Sequence, residues 1–573
     1  MTVTAKPSAA WNQDCFKWAS VDWQMVILII AIWLVMIILV NPVGNFPLND
    51  DWSFAASARL LADIGHFVFP DWSAANIVAQ IFWGSLFIKI FGFSFTVLRF
   101  STLILGLIGI IAVYRLLREI KTSSGLSAIA ALLIAVNPIY FASSNTFMTD
   151  IPFYSFSVLS LFFLTRFLLY NNTSEIVLGI AAACLAVLVR QLGFAIPIAF
   201  VFAYLAGRQL TGKSLTVSLF PLVGCVSSHF ALKLWLQLDG QSPTMYGHQI
   251  NQVQNALSQP ILDVVTNFSY NIFVSILYIG LFLFPLLILT LFNNRNIITK
   301  KFIYFGLISV AVTWLLLYFG QSRILNWPLL GNPISWNGVG PLLQSGSLGY
   351  VPKNIIYLRT FWTIIGFVAI ASFGLMLYLL LYFSKFILVH ISERKHINVR
   401  LAILFSATTI IYLLPVAGVA QLFDRYLLLP ITTVMLLFFM IPSFTKLENF
   451  SGLGKLTTIL SVSFMGLITV PATHDYLSWN RVRWAALDDM VLNKKINPAR
   501  IDGGFEFNGS YLYNPKQITA NPKGWWVVDN EFIIAYENRV LVQNYGYRTV
   551  ASYPVNSWLS FSPHTIYVVQ RTY

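Results

Sequence analysis

Residues 25–40 read MVILIIAIWLVMIILV, and residues 41–60 read NPVGNFPLNDDWSFAASARL. The first stretch carries no charge and, with its flanks, reaches the ~20 apolar residues that cross a bilayer. It begins too far from the N-terminus and lacks the small-residue cleavage site of a removable signal. The second stretch turns polar at once and sets an acidic pair, Asp50-Asp51, at the membrane surface. The same alternation recurs along the chain. Apolar segments at 24–40, 96–114, 126–143, 151–169, 176–190, 194–207, 215–235, 268–291, 302–319, 360–383, 401–418, 427–444 and 455–472 predict about thirteen transmembrane helices. Segments 176–190 and 194–207 are short, which predicts tilted or broken spans.

Composition agrees. Of 573 residues, 57% are hydrophobic, 16% aromatic and 10% charged; the mean hydropathy is +0.71. Soluble domains carry about 25% charged residues. A soluble enzyme, a disordered chain and a nucleic-acid binder working through a basic surface are excluded, which leaves an α-helical polytopic membrane protein. The 3 cysteines, Cys15, Cys184 and Cys225, lie in or near apolar segments, so no disulfide framework is implied.

The net charge of +14 reads mainly as orientation. Lys and Arg gather in cytoplasmic loops, and short basic linkers occur at Arg115–Lys121, Arg208–Lys213, Arg295–Lys301, Lys385–Arg400 and Lys446–Lys455. The linkers between them, 41–75, 143–150, 236–266 and 320–358, are rich in Trp, Pro, Gly and Asn. They are expected on the outer face, with the N-terminus cytoplasmic and the C-terminus extracytoplasmic. Residues 76–93 are apolar too, but a crossing there would invert every later basic loop. They are therefore read as an interfacial helix within a first outer loop, 41–95. A membrane module, 1–472, is expected to precede a small α+β extracytoplasmic domain, 473–573. That domain starts with an amphipathic helix (Trp484, Leu487, Met490, Val491) and continues with strand-like runs at 525–529, 531–537, 547–553 and 565–571.

Ionisable groups against a bilayer are costly and tend to be functional. The acids on the outer side before residue 473 are Asp50, Asp51, Asp63, Asp71, Asp150, Asp239, Asp263 and Asp424. Adjacent side chains do not share a helix face, so one of Asp50 and Asp51 faces a cavity while the other holds a neighbour. Asp50 also reads as a plain N-cap, as does Asp150 in FMTDIP. Two acidic loop tips on one face suit a general base and a ligand for a divalent metal ion, with Asp150 the candidate metal ligand. Arg190 and Arg425 suit phosphate recognition through their planar guanidinium groups. Snorkelling, or for Arg425 a pairing with Asp424, is the plainer reading. His66, His248 and His474 lack metal-ligand spacing. Trp327, Trp336, Tyr246 and Tyr350 fit a sugar platform or, more plainly, an interfacial belt.

Asp50-Asp51 after the first span, Thr149-Asp150, and Arg425-Tyr426 with Pro430 resemble the GT-C superfamily. Within it the likeness is to the branch of protein O-mannosyltransferases and aminoarabinose transferases (glycosyltransferase family 39-like). The resemblance covers residues 20 to about 445 and implies a GT-C-like fold with an outward C-terminal domain. It implies Asp50, Asp51 and Asp150 as catalytic positions and Arg190, Arg425 and Tyr426 at the donor phosphate. The Lys-Pro-Pro run usual after the first loop is absent; DWSAANIVAQ stands there.

The expectation is an inverting glycosyltransferase at the outer face of a bacterial inner membrane. It would move a hexose or pentose from a polyprenyl-phosphate sugar to a hydroxyl of a glycan, lipid or protein acceptor, with a divalent metal ion as a possible cofactor. The alternative is a transporter or flippase for a lipid-linked or anionic substrate. It predicts repeated halves and interrupted spans near the midplane; neither a repeat nor a mid-span acid is evident.

Overall fold

The computed structural model describes residues 19–572 except 242, 293–326, 336–337, 341–358, 391–396, 419–421, 442–443, 518–523, 536–541, 544 and 560–563. The predicted span 302–319 and the residues Cys15, Trp336 and Tyr350 lie outside the described residues. Every other predicted span coincides with helix. Among the described residues, 8 helices are long and apolar enough to cross a membrane, or up to 9 when one bent pair counts as a single span.

That pair is Ser124–Ala135 and Pro138–Ser144, bent by 64°. Pro138 has no N–H to continue the ladder, and the Asn137 side chain starts the new helix by accepting the Ile139 N–H at 2.9 Å. The first helix, Ser20–Val40, is apolar all round: Trp33 and Ile29 face the bundle while Ile27 and Ile38 face outward. A helix of this kind needs an apolar solvent on its free side.

The short predicted spans are Thr173–Val189 and Gln191–Leu205, both shorter apolar helices. They meet at Arg190, whose backbone is extended at φ −144° and ψ 139°. Residues 76–93 form the helix Val78–Phe91, too short to cross a bilayer. It buries Gln80 and Ser85 and exposes Phe82, Leu86, Ile90 and Phe91.

The last span and the amphipathic segment after it are one continuous helix, Gly452–Asp488, of 37 residues. Trp484 and Leu487 are buried on it, and Met490 in the turn beyond. A four-stranded sheet follows in the order Ile501–Asp502, Phe532–Ala535, His564–Arg571, Tyr547–Val555. The first pair is parallel, with Ile501 opposite Phe532. The others are antiparallel, with a bulge between Thr549 and Ala551. Ile566, Val568 and Val555 share one apolar cluster with Leu487 and Met490, so the sheet rests on the emerging helix. The run 525–529, expected as a strand, is not one. Trp526 sits in the left-handed region at φ 54°, and its ring packs on Trp52 and Trp72 instead of joining a ladder.

Candidate active site

Asp50 precedes the helix Asp51–Ile64, but its side chain makes no cap hydrogen bond. Its Oδ1 accepts the Trp72 indole N–H at 2.9 Å. Burial pushes the Asp50 carboxyl above the ordinary carboxylate range; Arg425 and the Trp72 hydrogen bond oppose this, while Asp150 and Glu506 add to it. Asp50 therefore sits within the field of Arg425, Asp150 and Glu506.

Asp51 has a different setting. It is buried, accepts the Phe147 N–H at 2.9 Å and the Leu48 N–H at 3.3 Å, and so ties the first loop to the loop before Asp150. Burial raises its carboxyl to about 8. One member of the acidic pair thus faces the ionic cluster and the other braces backbone.

Asp150 is the first residue of the helix Asp150–Tyr170, and Thr149, not Asp150, occupies the cap position. Its Oδ1 lies 2.8 Å from Arg190 Nη2 and its Oδ2 lies 3.6 Å from Arg425 Nη1. Arg190 also donates through Nε to Thr149 Oγ1 at 2.8 Å. The break between two short helices at Arg190 turns this side chain inward, in place of the snorkelling of the plainer reading. Tyr426 lies beneath both guanidinium groups, its ring centroid 5.4 Å from Arg190 Cζ and 5.9 Å from Arg425 Cζ.

Arg425 does not pair its side chain with Asp424. Asp424 is fully buried and accepts backbone N–H groups, from Ile334 at 2.9 Å and from Arg425 itself at 2.8 Å. The Arg425 guanidinium is left to face Asp150, and its buried Nε and Nη1 make no hydrogen bond among the described residues. Buried donors without acceptors are costly. Here they line a site that an anion would complete.

Asp150 as a metal ligand fits poorly, because both its oxygens face arginines. Among the described residues no group of three or more His, Cys, Asp or Glu side chains is placed to hold a metal ion. His474 instead contacts Asp475 at 3.0 Å and stacks on Trp558 at 3.8 Å, and His66 is exposed. Trp327 and Tyr278 stack at 4.9 Å in the bundle, so Trp327 is a core residue. The Tyr246 hydroxyl donates to Asn76 at 3.0 Å.

Several residues around the cluster gave no sequence signal. Arg99, almost fully buried, holds the first loop by donating to the carbonyls of Pro42, Gly44 and Phe46. Arg481 reaches the carbonyls of Val40, Asn41 and Val43 from the last long helix. Glu506 pairs with Arg483 at 3.0 Å and accepts the Asn49 N–H at 3.1 Å.

Fold and cluster together define a polytopic membrane protein with a buried carboxylate–guanidinium site at one end of its helices. Residues 79–232 match the family described as dolichyl-phosphate-mannose-protein mannosyltransferase. This match, over 154 of the 573 residues, agrees with the resemblance to the protein O-mannosyltransferase side of the GT-C superfamily. No curated protein matches the chain.

Among solved structures the chain is similar to ArnT from Cupriavidus metallidurans bound to undecaprenyl phosphate, at 13% identity, over 96% of this chain and 98% of that one, with a TM-score of 0.35. It is similar to the S. cerevisiae protein O-mannosyltransferase Pmt1-Pmt2 complex at 14% identity, over 39% of this chain and 34% of that one, with a TM-score of 0.33. The arabinosyltransferase EmbB from Mycobacterium smegmatis matches at 13% identity, over 82% of this chain and 43% of that one, with a TM-score of 0.33.

Proposed function

We propose that this chain is an inverting glycosyltransferase that moves a sugar from a polyprenyl-phosphate donor to an acceptor hydroxyl at the outer face of a bacterial inner membrane. The observation that carries this reading is the buried Arg425 guanidinium, set in the field of Asp50 and Asp150 with Nε and Nη1 unbonded among the described residues. Arg425, and Arg190 through the N–H groups not engaged by Thr149 and Asp150, offer positive charge and donors to a phosphate whose charge grows as the glycosyl bond breaks. Tyr426 orients both side chains.

Asp50 takes the proton of the acceptor hydroxyl, and its raised pKa strengthens it as a base. The hydroxyl oxygen attacks the anomeric carbon, and the phosphate leaves with the bonding electrons. A phosphate leaves without an enzymic acid, so one displacement inverts the anomeric centre, unlike paired-carboxylate glycoside hydrolysis. Asp150 holds the two arginines through its two carboxylate oxygens.

An open apolar cavity of about 370 Å³ supports a lipid-linked donor. It lies among the helices Ile261–Leu291, Arg359–His390 and Gly452–Asp488, lined in part by Phe282, Pro285, Trp362 and Phe464. Ile334 closes one part of it, and the Ile334 N–H bonds Asp424 beside Arg425. The proposal is that an isoprenyl chain lies in this groove with its phosphate toward the arginines, which the Ile334–Asp424 contact supports.

The test is release of undecaprenyl phosphate from a panel of undecaprenyl-phosphate-linked sugars by the purified protein. Asp50→Asn is expected to lose release by about 10³-fold or more while still binding undecaprenyl phosphate. Full release by that variant sinks the base assignment. No release from any donor by the wild type favours the transporter.

A further inference from the structure

Asp50 is held from two directions, and both lead to the C-terminal region. Its backbone follows Asn49, a non-glycine residue in the left-handed region at φ 55°. Asn tolerates this region better than most side chains, and a distant contact holds the turn in place. Support comes from Glu506, whose Oε1 accepts the Asn49 N–H at 3.1 Å. Glu506 is itself fixed, because Arg483 donates to its Oε2 through Nη1 and Nη2, both at 3.0 Å. Arg483 is anchored in turn to the Gly503 carbonyl, at 2.9 Å from Nε and 2.6 Å from Nη2. Glu506 and Arg483 are both nearly fully buried.

The second direction runs through the side chain. The Asp50 carboxylate is oriented by Trp72, and the Trp72 ring is packed by Phe505 at 6.1 Å, Trp525 at 5.6 Å and Trp526 at 5.1 Å. These three rings all belong to the C-terminal region. The chain separates Asn49 from Glu506 by 457 positions, and no local preference brings them together.

We propose that Glu506 is a positioning residue for Asp50. Braced by Arg483, it fixes the Asn49 turn that aims the Asp50 carboxylate, which makes the C-terminal region a working part of the active site. This rests on the reading of Asp50 as the base. Glu506 has a second effect: its negative charge adds to that of Asp150 in holding the proton on Asp50, while Arg425 opposes them and Asp51 lies adjacent. A neutral residue at 506 leaves the Arg483 charge uncompensated as well, so both changes ease ionisation of Asp50.

The experiment uses the full chain in nanodiscs with Glu506→Ala, Glu506→Gln and Asp50→Asn. Hydrogen exchange of the peptide over residues 46–54 reads the brace without requiring turnover. Exchange there is expected to rise about tenfold or more in E506A and by less in E506Q, whose amide oxygen can still accept the Asn49 N–H although its NH₂ cannot accept from Arg483. In transfer from an undecaprenyl-phosphate-linked sugar, E506A is expected to lower kcat about 10²-fold with KM little changed.

E506Q is expected to recover part of that loss, since it keeps the Asn49 contact but not the Arg483 pair, and to move the acid limb of kcat down by about one pH unit. If E506A does not fold, the pH shift in E506Q decides the matter. Unchanged exchange in E506A overturns the proposal. So does an unchanged kcat and pH profile in both Glu506 variants when D50N is inactive. A fully active D50N overturns the base assignment instead, and the exchange readout then judges the brace alone.

Discussion

Arg190 Nη2 and Asp150 Oδ1 meet at 2.8 Å, and Arg425 approaches the other oxygen of the same carboxylate at 3.6 Å. One carboxylate therefore stands between two guanidinium groups assigned to a phosphate. Its negative charge preorganises them and also competes with the ligand they are meant to hold.

Neutralising Asp150 follows from this geometry. Asp150→Asn is expected to slow transfer about 10²-fold, because the arginines lose their spacer. It is also expected to tighten binding of undecaprenyl phosphate several-fold, because a like charge is removed. A binding titration on the full chain checks this; weaker binding in D150N means that Asp150 does not face the phosphate.

The pH dependence of transfer should expose Asp50. Burial raises its carboxyl above the ordinary range. The acid limb of the rate is therefore expected above the ~4 of an unperturbed carboxylate, with activity rising as pH rises through it. A profile flat down to about pH 4 removes Asp50 as the base.

Stability should carry the signature of Asp51. Its carboxyl is raised to about 8 by burial, with the Phe147 and Leu48 N–H groups and Arg99 opposing. A group raised in the folded state stabilises fully below its unfolded pKa and loses that contribution as pH rises to the folded value. The melting temperature is expected to fall between about pH 4 and about 8. Asp51→Asn is expected to flatten this slope and to lower stability by about 1–3 kcal/mol, since its amide NH₂ cannot accept one of the two N–H groups.

A test of the junction needs no change of charge. A Cβ on Gly509 would stand 2.5 Å from Trp52 Cε2, closer than any real contact. Gly509→Ala is expected to destabilise by about 1–3 kcal/mol through overpacking and to loosen the C-terminal region from the first loop. Unaltered protease resistance of residues 500–573 in this variant would show that the two do not pack as described.

Much of the architecture was legible from the chain. Runs such as 25–40 leave no choice of solvent, because an apolar helix with no polar face must meet lipid or protein. The short segments 176–190 and 194–207 were legible as apolar helices, and the extended residue between them, Arg190, carries the guanidinium that meets Asp150. The run 525–529 misled, because adjacent bulky rings raise strand propensity; their packing partners, Trp52 and Trp72, lie in another part of the chain.

The sequence by itself determined the class of the molecule and a short set of charged residues, since burying charge in or near a membrane is costly enough to make each one conspicuous. Only the tertiary structure decided how that set is divided. Asp50 and Asp51 are chemically identical neighbours, yet one meets Trp72 in the field of Arg425 while the other is held by backbone N–H groups. Local sequence carries no information about which partner arrives from a distant segment. The Asn49–Glu506 contact is of this kind: loop closure over hundreds of residues costs little more than over tens, so packing alone selects it.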